Sequence, residues 1–443
     1  MCCLDSGVWL SDLRFRSEVS LSFLILARLN KSVTEPMDIS TIISCLSILP
    51  LLILISHFRS HHQNGRPRGC RKLGLSPSQS NLNDEYDPQY TQGVYGQASW
   101  CIKALFTYPI KSCAGVELGV ADVVPTGLAY DRQFCFAECV QSSEGEMQWT
   151  AKTLRDRRFN RMALVRPEIW VPDPLATDYA SDLVEVKSEG VMVVSFPRVV
   201  PNGTVHPLLV NLGMVLGIIP REYSFTVPLS PPPDRMALYP SIPVKIWKDC
   251  PVAYDYGQHI PKSLRAYLGS GSDDSNTRLS LFRVNPSHHR EIFRCAPSKD
   301  ELGYQTTTGF ADAYPIHLLN LASVRDVATR CAADIPRLSI RRFRANIIMQ
   351  GPGAFAEDHW KRIVVGDDRD SGVEIHTVCR TVRCRLPNVD PDTGIRHPSE
   401  PDRTLKSYRR IDRGDLTNAC LGMQLVPAAQ SELPLLFSHS DSC

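Results

Sequence analysis

Arg383-Cys384, followed by Val389-Asp390-Pro391-Asp392-Thr393-Gly394, carries the residues best suited to chemistry. Cysteine is reactive and metal-binding as its thiolate, and a neighbouring cation lowers the thiol pKa. Pro391 presets φ and Gly394 permits a positive φ, so the acidic segment reads as a rigid turn. The stretch predicts a strand end, a presented thiolate at Cys384 and a tight turn behind it. The competing reading is a buried, inert thiol, the commoner fate of a single cysteine.

Three further clusters could bind anions or metals. Tyr108-Pro109-Ile110-Lys111-Ser112-Cys113 places Lys111 and Ser112 on a turn after a strand, where ammonium and hydroxyl both suit phosphate. A solvated lysine is the plainer alternative. Asp131-Arg132 reads as a surface ion pair of little worth. In Arg342-Phe343-Arg344-Ala345-Asn346, alternation through Phe343 predicts Arg342 and Arg344 on one face of a strand. Two such guanidiniums repel unless an anion lies between them; a water-facing strand edge is the alternative. His376, Cys379 and Cys384 offer soft donors, but no C-x-x-C unit accompanies them, which argues against a closed zinc site. A single thiolate on a cofactor-borne metal stays open.

The elements that must position these groups are mostly strands. Apolar patterning predicts strands over 102–110, 116–124, 133–138, within 183–196, and over 345–349 and 372–382, with a turn at Pro125-Thr126-Gly127. Residues 316–330 have helical spacing through Leu318, Leu321, Val324 and Val327. The Pro-rich loop 230–234 and the polar loop 269–276 read as surface insertions. Thirty-three prolines against 26 glycines favour strands and turns over a helical bundle.

At 443 residues the chain has room for two or three domains, and 43% apolar residues suffice for a core. A net charge of +2 gives no support to nucleic-acid binding. Fifteen cysteines, an odd and irregularly spaced set, favour a reducing compartment or metal chemistry over a secreted disulfide scaffold. Residues 39–56 contain no charge, so 39–58 reads as a membrane anchor. Glu35 and Asp38 precede it and Arg59, Arg66, Arg68, Arg71 and Lys72 follow, which orients the bulk of the chain to the cytosol. Residues 1–38 read as unstructured or as a gene-model extension ahead of Met37, 59–98 as a flexible tether, and 429–443 as a tail.

The joint order of these motifs resembles the MOSC-domain proteins, most closely the mitochondrial amidoxime-reducing component branch. The marks are Tyr-Pro-Ile-Lys-Ser-Cys at 108–113, Gly-Leu-Ala-Tyr-Asp-Arg at 127–132, Trp-Thr-Ala at 149–151 and Leu-Ala-Ser at 321–323. They continue with Arg-Phe-Arg-Ala-Asn at 342–346, Glu-Asp-His-Trp at 357–360, Arg-Cys at 383–384, Val-Asp-Pro-Asp-Thr-Gly at 389–394 and Thr-Leu-Lys-Ser-Tyr-Arg at 404–409. The resemblance implies an α+β, mainly β fold. An N-terminal MOSC-associated β-barrel domain (99–285) would pack on a MOSC β-barrel (286–428), behind an N-terminal anchor helix.

It also implies a molybdenum cofactor, ligated by Cys384 as the metal-binding and catalytic residue. Lys111, Ser112, Arg132, Ser323, Arg344 and Asn346 match positions that hold the pterin and its phosphate, with Thr150 and Arg383 as supporting members. The implied reaction is reduction of small N-hydroxylated substrates, amidoximes and hydroxylamines. Electrons would come from NADH through cytochrome b5 reductase and cytochrome b5, at the mitochondrial outer membrane or the endoplasmic reticulum. Val382 departs from the family pattern, where a small residue often stands two before the ligand cysteine. No four-cysteine cluster follows Arg409, so a separate electron donor is expected. A sulfur-carrier or sulfurase-related role, or cofactor binding and delivery, are the alternatives.

Overall fold

The computed structural model describes residues 66–88, 100–142, 145–199, 210, 213–269, 279–366, 372–428 and the backbone of 433–436. The chain is β-rich, as expected. Strands Phe134–Gln141, Met147–Ala151, Ser241–Lys245, Val252–Asp255 and Leu279–Val284 close into a five-stranded barrel. Period-2 alternation divides its residues between two cores. Cys135 and Ala137 join a cluster with Val244, Ala253 and Phe282, while Phe134 and Phe136 point the other way into the main core.

The second unit of architecture is a seven-stranded sheet. Its order runs Arg362–Val365, Val373–Arg383, Ala419–Pro427, Ile316–Asn320, Ile347–Gln350, Cys101–Thr107 and Val116–Leu118. It is open, with Arg362–Val365 and Val116–Leu118 as edges, where a closed MOSC barrel was expected. Two strands from the N-terminal part of the chain, Cys101–Thr107 and Val116–Leu118, complete it. The central strands are buried on both faces: Leu105, Leu318 and Ile347 enter one core cluster, Ala104, Leu319 and Ile348 the other. Each fully buried Leu or Ile contributes roughly 1.5–3 kcal/mol, so this layer is a principal source of stability.

The 316–330 segment corrects the sequence reading. Ile316–Asn320 is a strand, all five residues buried, and only Leu321–Arg330 is helical. An apolar run buried on both faces has no diagnostic period, so Leu318 fitted the helical spacing by coincidence. Asn320 marks the true start: its side-chain oxygen accepts from the Ala322 N–H at 3.1 Å. The helix then leads to the strand Ile347–Gln350, which runs parallel to Ile316–Asn320.

Other expectations also shift. Part of the expected tether is packed: Cys70–Lys72 pairs with the strand Arg166–Pro172, and the buried Glu85 accepts from the Ile340 N–H at 2.9 Å. Val184–Lys187 forms one helical turn ahead of the strand Val191–Pro197. Within the expected tail, Leu433–Leu436 pairs with Val120–Val124. The expected anchor at 39–58, the 1–38 extension and most of the 269–276 loop lie outside the described residues. Among the described residues no helix is long and apolar enough to cross a membrane.

Candidate functional site

Cys384 follows directly on the long strand Val373–Arg383, as its sequence context predicts, and is half-buried. Behind it stands the acidic turn. Asp390 Oδ1 accepts from the N–H groups of Asp392 and Thr393 at 2.9 and 3.0 Å, and Gly394 takes φ 67°. The turn's carboxylates face Arg341 and Arg342: Arg342 Nη2 donates to Asp390 Oδ2 at 2.5 Å, and Arg341 makes a two-point contact with Asp392.

The expected strand through Arg342 and Arg344 is not formed. Ile340–Phe343 is a 3-10 turn closed by Arg344 at φ 58°, in the left-handed region. The two guanidiniums therefore diverge. Arg342 is neutralised by Asp390 and by the carbonyls of Pro387 and Asn388, and Arg344 turns into a cavity. The alternation rule failed because the backbone coils where a strand was assumed.

That cavity, of about 760 Å³, is the centre of the site. Its wall brings together Lys111, Ser112, Arg132, Arg344, Asn346, Arg383 and Cys384, residues from distant parts of the chain. Lys111 is buried, unlike a solvated turn lysine, and donates to Phe310 O at 2.8 Å and Asp312 Oδ1 at 2.5 Å. Burial pushes the Asp312 carboxyl up, but the Lys111 ammonium, with Arg155 and Arg132, outweighs it and holds the group at about 2. Arg132 donates to Asp131 Oδ2 at 2.6 Å, to Asn346 Oδ1 at 3.1 Å and to Arg344 O at 2.9 Å. The Asp131–Arg132 pair is thus part of a buried network. Asn346 also ties the network to the sheet, donating to Phe106 O and Asp131 Oδ1.

Electrostatics favour an anion here. Arg132 and Arg344 both lie against the Tyr108 ring, at 4.7 and 4.4 Å from its centroid. Burial lowers the pKa of the Arg344 guanidinium, and Arg132 lowers it further. Eight Lys or Arg residues line the cavity against four Asp or Glu. Ser112, Arg132 and Arg344 all hold positive φ (68°, 48° and 58°). Such strain costs on the order of 1–3 kcal/mol per residue and persists where the surroundings over-determine it, typically at functional sites.

Two expected members stand apart. Ser323 is fully buried and donates to Glu357 at 2.7 and 2.9 Å while accepting from the Phe355 N–H, which fastens the 353–359 segment to the helix. Thr150 lies in the barrel, paired with Glu138 and Lys245, and does not line the cavity. His376 likewise lies outside it. Among the described residues no group of three or more His, Cys, Asp or Glu is arranged to hold a metal ion.

The sequence reading missed His317, Asp312, Arg155 and Trp247. His317 accepts from Arg383 Nη2 at 2.6 Å; burial and the Arg383 charge hold its pKa well below the usual imidazole value. Trp247 is the first of two residues in a tight hairpin turn between Ile246 and Asp249, and holds φ 55°. Glycine is preferred at such a position. The Arg155 guanidinium stacks on the Trp247 ring at 4.2 Å, and Lys111 lies 5.7 Å from it. A bulky aromatic at a turn position that favours glycine was the available signal.

A five-stranded barrel and an open seven-stranded sheet that takes two strands from the N-terminal part of the chain, with a half-exposed thiol and clustered cations in one cavity, define a class. A profile of the MOSC N-terminal β-barrel domain matches residues 99–197 and one of the MOSC domain matches 305–423. The chain is a MOSC-domain protein that carries both domains. It is similar to mitochondrial amidoxime-reducing component 1 of Mus musculus, 27% identical over 313 residues, 70% of this chain and 72% of that protein. It is similar to mitochondrial amidoxime reducing component 2 of Bos taurus, 27% identical over 70% of this chain and 73% of that protein. A molybdenum cofactor sulfurase of Pyricularia oryzae is 25% identical over 72% of this chain and 37% of that protein.

The residues present fit a molybdenum cofactor. Arg344 lines the cavity and its buried Nη2 has no hydrogen-bond partner; leaving such a donor unsatisfied is costly. A pterin phosphate would supply an acceptor and negative charge beside these cations. Cys384 supplies a soft donor on the same wall.

Proposed function

We propose that the chain is a molybdenum-cofactor-dependent oxidoreductase that reduces N-hydroxylated substrates such as amidoximes and hydroxylamines. The observation that carries this reading is the shared cavity, whose wall brings Cys384 together with Lys111, Arg132, Arg344 and Arg383. The names of the relatives support the reaction class.

When bound, the cofactor supplies two-electron oxygen-atom chemistry at its metal. Lys111, Ser112, Arg132, Arg344 and Asn346 would hold its pterin and phosphate, and Cys384 its metal. The Asp131, Asp312 and Tyr108 contacts keep the cations aimed before the cofactor arrives, so that little ordering is left to do on binding. Arg383, fixed by Leu421 O, Phe343 O and His317, anchors the strand end from which Cys384 is presented. The exposed part of the wall, with Glu291, Phe293 and Arg294, faces a small substrate. Electrons come from NADH through cytochrome b5 reductase and cytochrome b5. On this reading residues 39–58 hold the protein at the mitochondrial outer membrane; the relatives' names support a mitochondrial association, and the anchor rests on the uncharged run 39–56 alone.

The test is molybdenum content on the full chain made in a cofactor-competent host, wild type beside Cys384→Ala. About one molybdenum per chain, lost in the variant, with benzamidoxime reduction by reduced cytochrome b5, is the expected result. Metal and turnover retained by Cys384→Ala overturn it. A persulfide on Cys384 with no molybdenum would instead favour a sulfur-transfer role, which the match to the sulfurase makes the second reading.

A further inference from the structure

Cys384 lines the main cavity, and the next residue, Arg385, lines a second, more open groove of about 740 Å³. Consecutive Cα atoms lie about 3.8 Å apart, so the groove begins one peptide bond from the candidate metal ligand. That peptide is held in place. Arg396 Nη1 donates to Arg385 O at 2.8 Å, while the rest of its guanidinium reaches Leu154 O and Asn160 Oδ1.

The groove follows the helix Asp402–Tyr408. Arg403, Lys406 and Ser407 share one helical face at i, i+3 and i+4, and Arg410 comes just past the helix end. Four cations, Arg385, Arg403, Lys406 and Arg410, line the groove against one carboxylate, Asp402. The negative charge lies underneath. Asp402 accepts from Arg385 Nε at 3.4 Å and Lys406 Nζ at 3.0 Å, and Glu400 accepts from Arg403 Nε at 2.5 Å. The Asp402 and Glu400 side chains are 6% and 0% exposed, whereas those of Arg385 and Arg403 are each 64% exposed. Arg403 also meets Asp334 at 2.6 Å, in an exposed pair. Arg410 is exposed and has no ion-pair or hydrogen-bond partner among the described residues. Exposed pairs are worth little, so these guanidiniums can re-pair with a visitor's carboxylates at small cost.

Cations outside and carboxylates beneath select an anionic partner. The concave form and the adjacency to Cys384 favour the edge of a protein over a flat lipid surface. We infer that this groove is the docking face for a small, acidic, one-electron carrier protein, which delivers its electrons to the site at Cys384. Redox encounters bury little surface and are steered by complementary charge. Two carriers give up one electron each. With two protons from solvent, these convert a substrate N–OH to N–H and release one water. The docking face rests on the proposed function, whose electron source it locates on this chain.

The experiment titrates the oxidised soluble domain of cytochrome b5 onto the full molybdenum-loaded chain, then follows benzamidoxime turnover with the reduced domain. Arg410→Glu should weaken binding and raise the KM for the cytochrome by about fivefold or more, with kcat little changed. Arg410→Lys should restore both, and Arg403→Gln should act in the direction of Arg410→Glu. Salt raised from about 20 to about 200 mM should weaken wild-type binding, and that of Arg410→Glu less. With dithionite-reduced methyl viologen, a small donor that needs no docking face, all three variants should turn over like wild type. Cytochrome binding and KM unchanged in both Arg410→Glu and Arg403→Gln overturn the inference. So does a loss confined to the binding of phosphatidylserine vesicles, which would make the groove a membrane contact. Absence of turnover with either donor counts against the proposed function, while the binding titration judges the docking face by itself.

Discussion

The Arg383 guanidinium donates to Nε2 of His317 across 2.6 Å. The pair joins two strands of the seven-stranded sheet and sits beside Cys384. Burial pulls the guanidinium's pKa down, with Cys384, Cys420 and Asp312 opposing, and its delocalised charge persists. Depressed imidazole basicity leaves His317 neutral, so its Nε2 accepts a hydrogen bond from the guanidinium N–H.

Lysine cannot replace this fork. Arg383 reaches Leu421 O, Phe343 O and His317 at once, whereas an ammonium cannot match that planar spacing. Arg383→Lys should lose about 1–3 kcal/mol of stability, the cost of buried acceptors left unpaired. It should also lower molybdenum content by loosening the strand end under Cys384. Denaturant titration and metal analysis on the same preparation check both, and an unchanged midpoint would show that the contacts are not coupled to the fold.

Trp247 holds a position that local backbone preference would give to glycine. Trp247→Gly should relieve on the order of 1 kcal/mol of strain, leaving the melting temperature unchanged or higher. It should free Arg155 from its stacked position and weaken cofactor retention severalfold. A large fall in melting temperature would instead mean that the ring serves the fold.

Glu357 supplies the pH dependence. Burial raises its carboxyl from 4.5 to about 7, against the hydrogen bonds from Ser323 and Asn320. The folded state therefore binds the proton more tightly than the unfolded state. The stability this lends is full below pH 4.5 and is lost as pH rises through about 7. The difference amounts to about 3 kcal/mol. Glu357→Gln should be close to wild type at pH ~5 and more stable by up to that amount at pH ~8.5. Parallel denaturation at the two pH values measures it.

Much of the site was legible because its members lie in local motifs. Cys384, Lys111, Arg132, Arg344 and Asn346 were expected near one ligand and do line one cavity. The geometry that joins them was less legible. A 3-10 turn and a left-handed Arg344 replaced the expected strand, since two arginines flanking Phe343 fit either pattern. Ser323 shares its motif context with the site, yet its hydroxyl is consumed by Glu357, a pairing across 34 residues that no spacing rule reveals. His317 was hidden inside a run that reads as helix. The strands were readable by alternation where one face is solvated, and ambiguous at Ile316–Asn320, where neither is.

Strands Cys101–Thr107 and Val116–Leu118 belong in sequence to the N-terminal part of the chain and in space to the sheet of the MOSC domain. Excising residues 305–423 would strip Ile347–Gln350 of its antiparallel neighbour and bare a row of unsatisfied amides along an apolar ribbon. Such an edge invites aggregation. The two matched segments are therefore ill-suited to separate expression or to shuffling as independent modules.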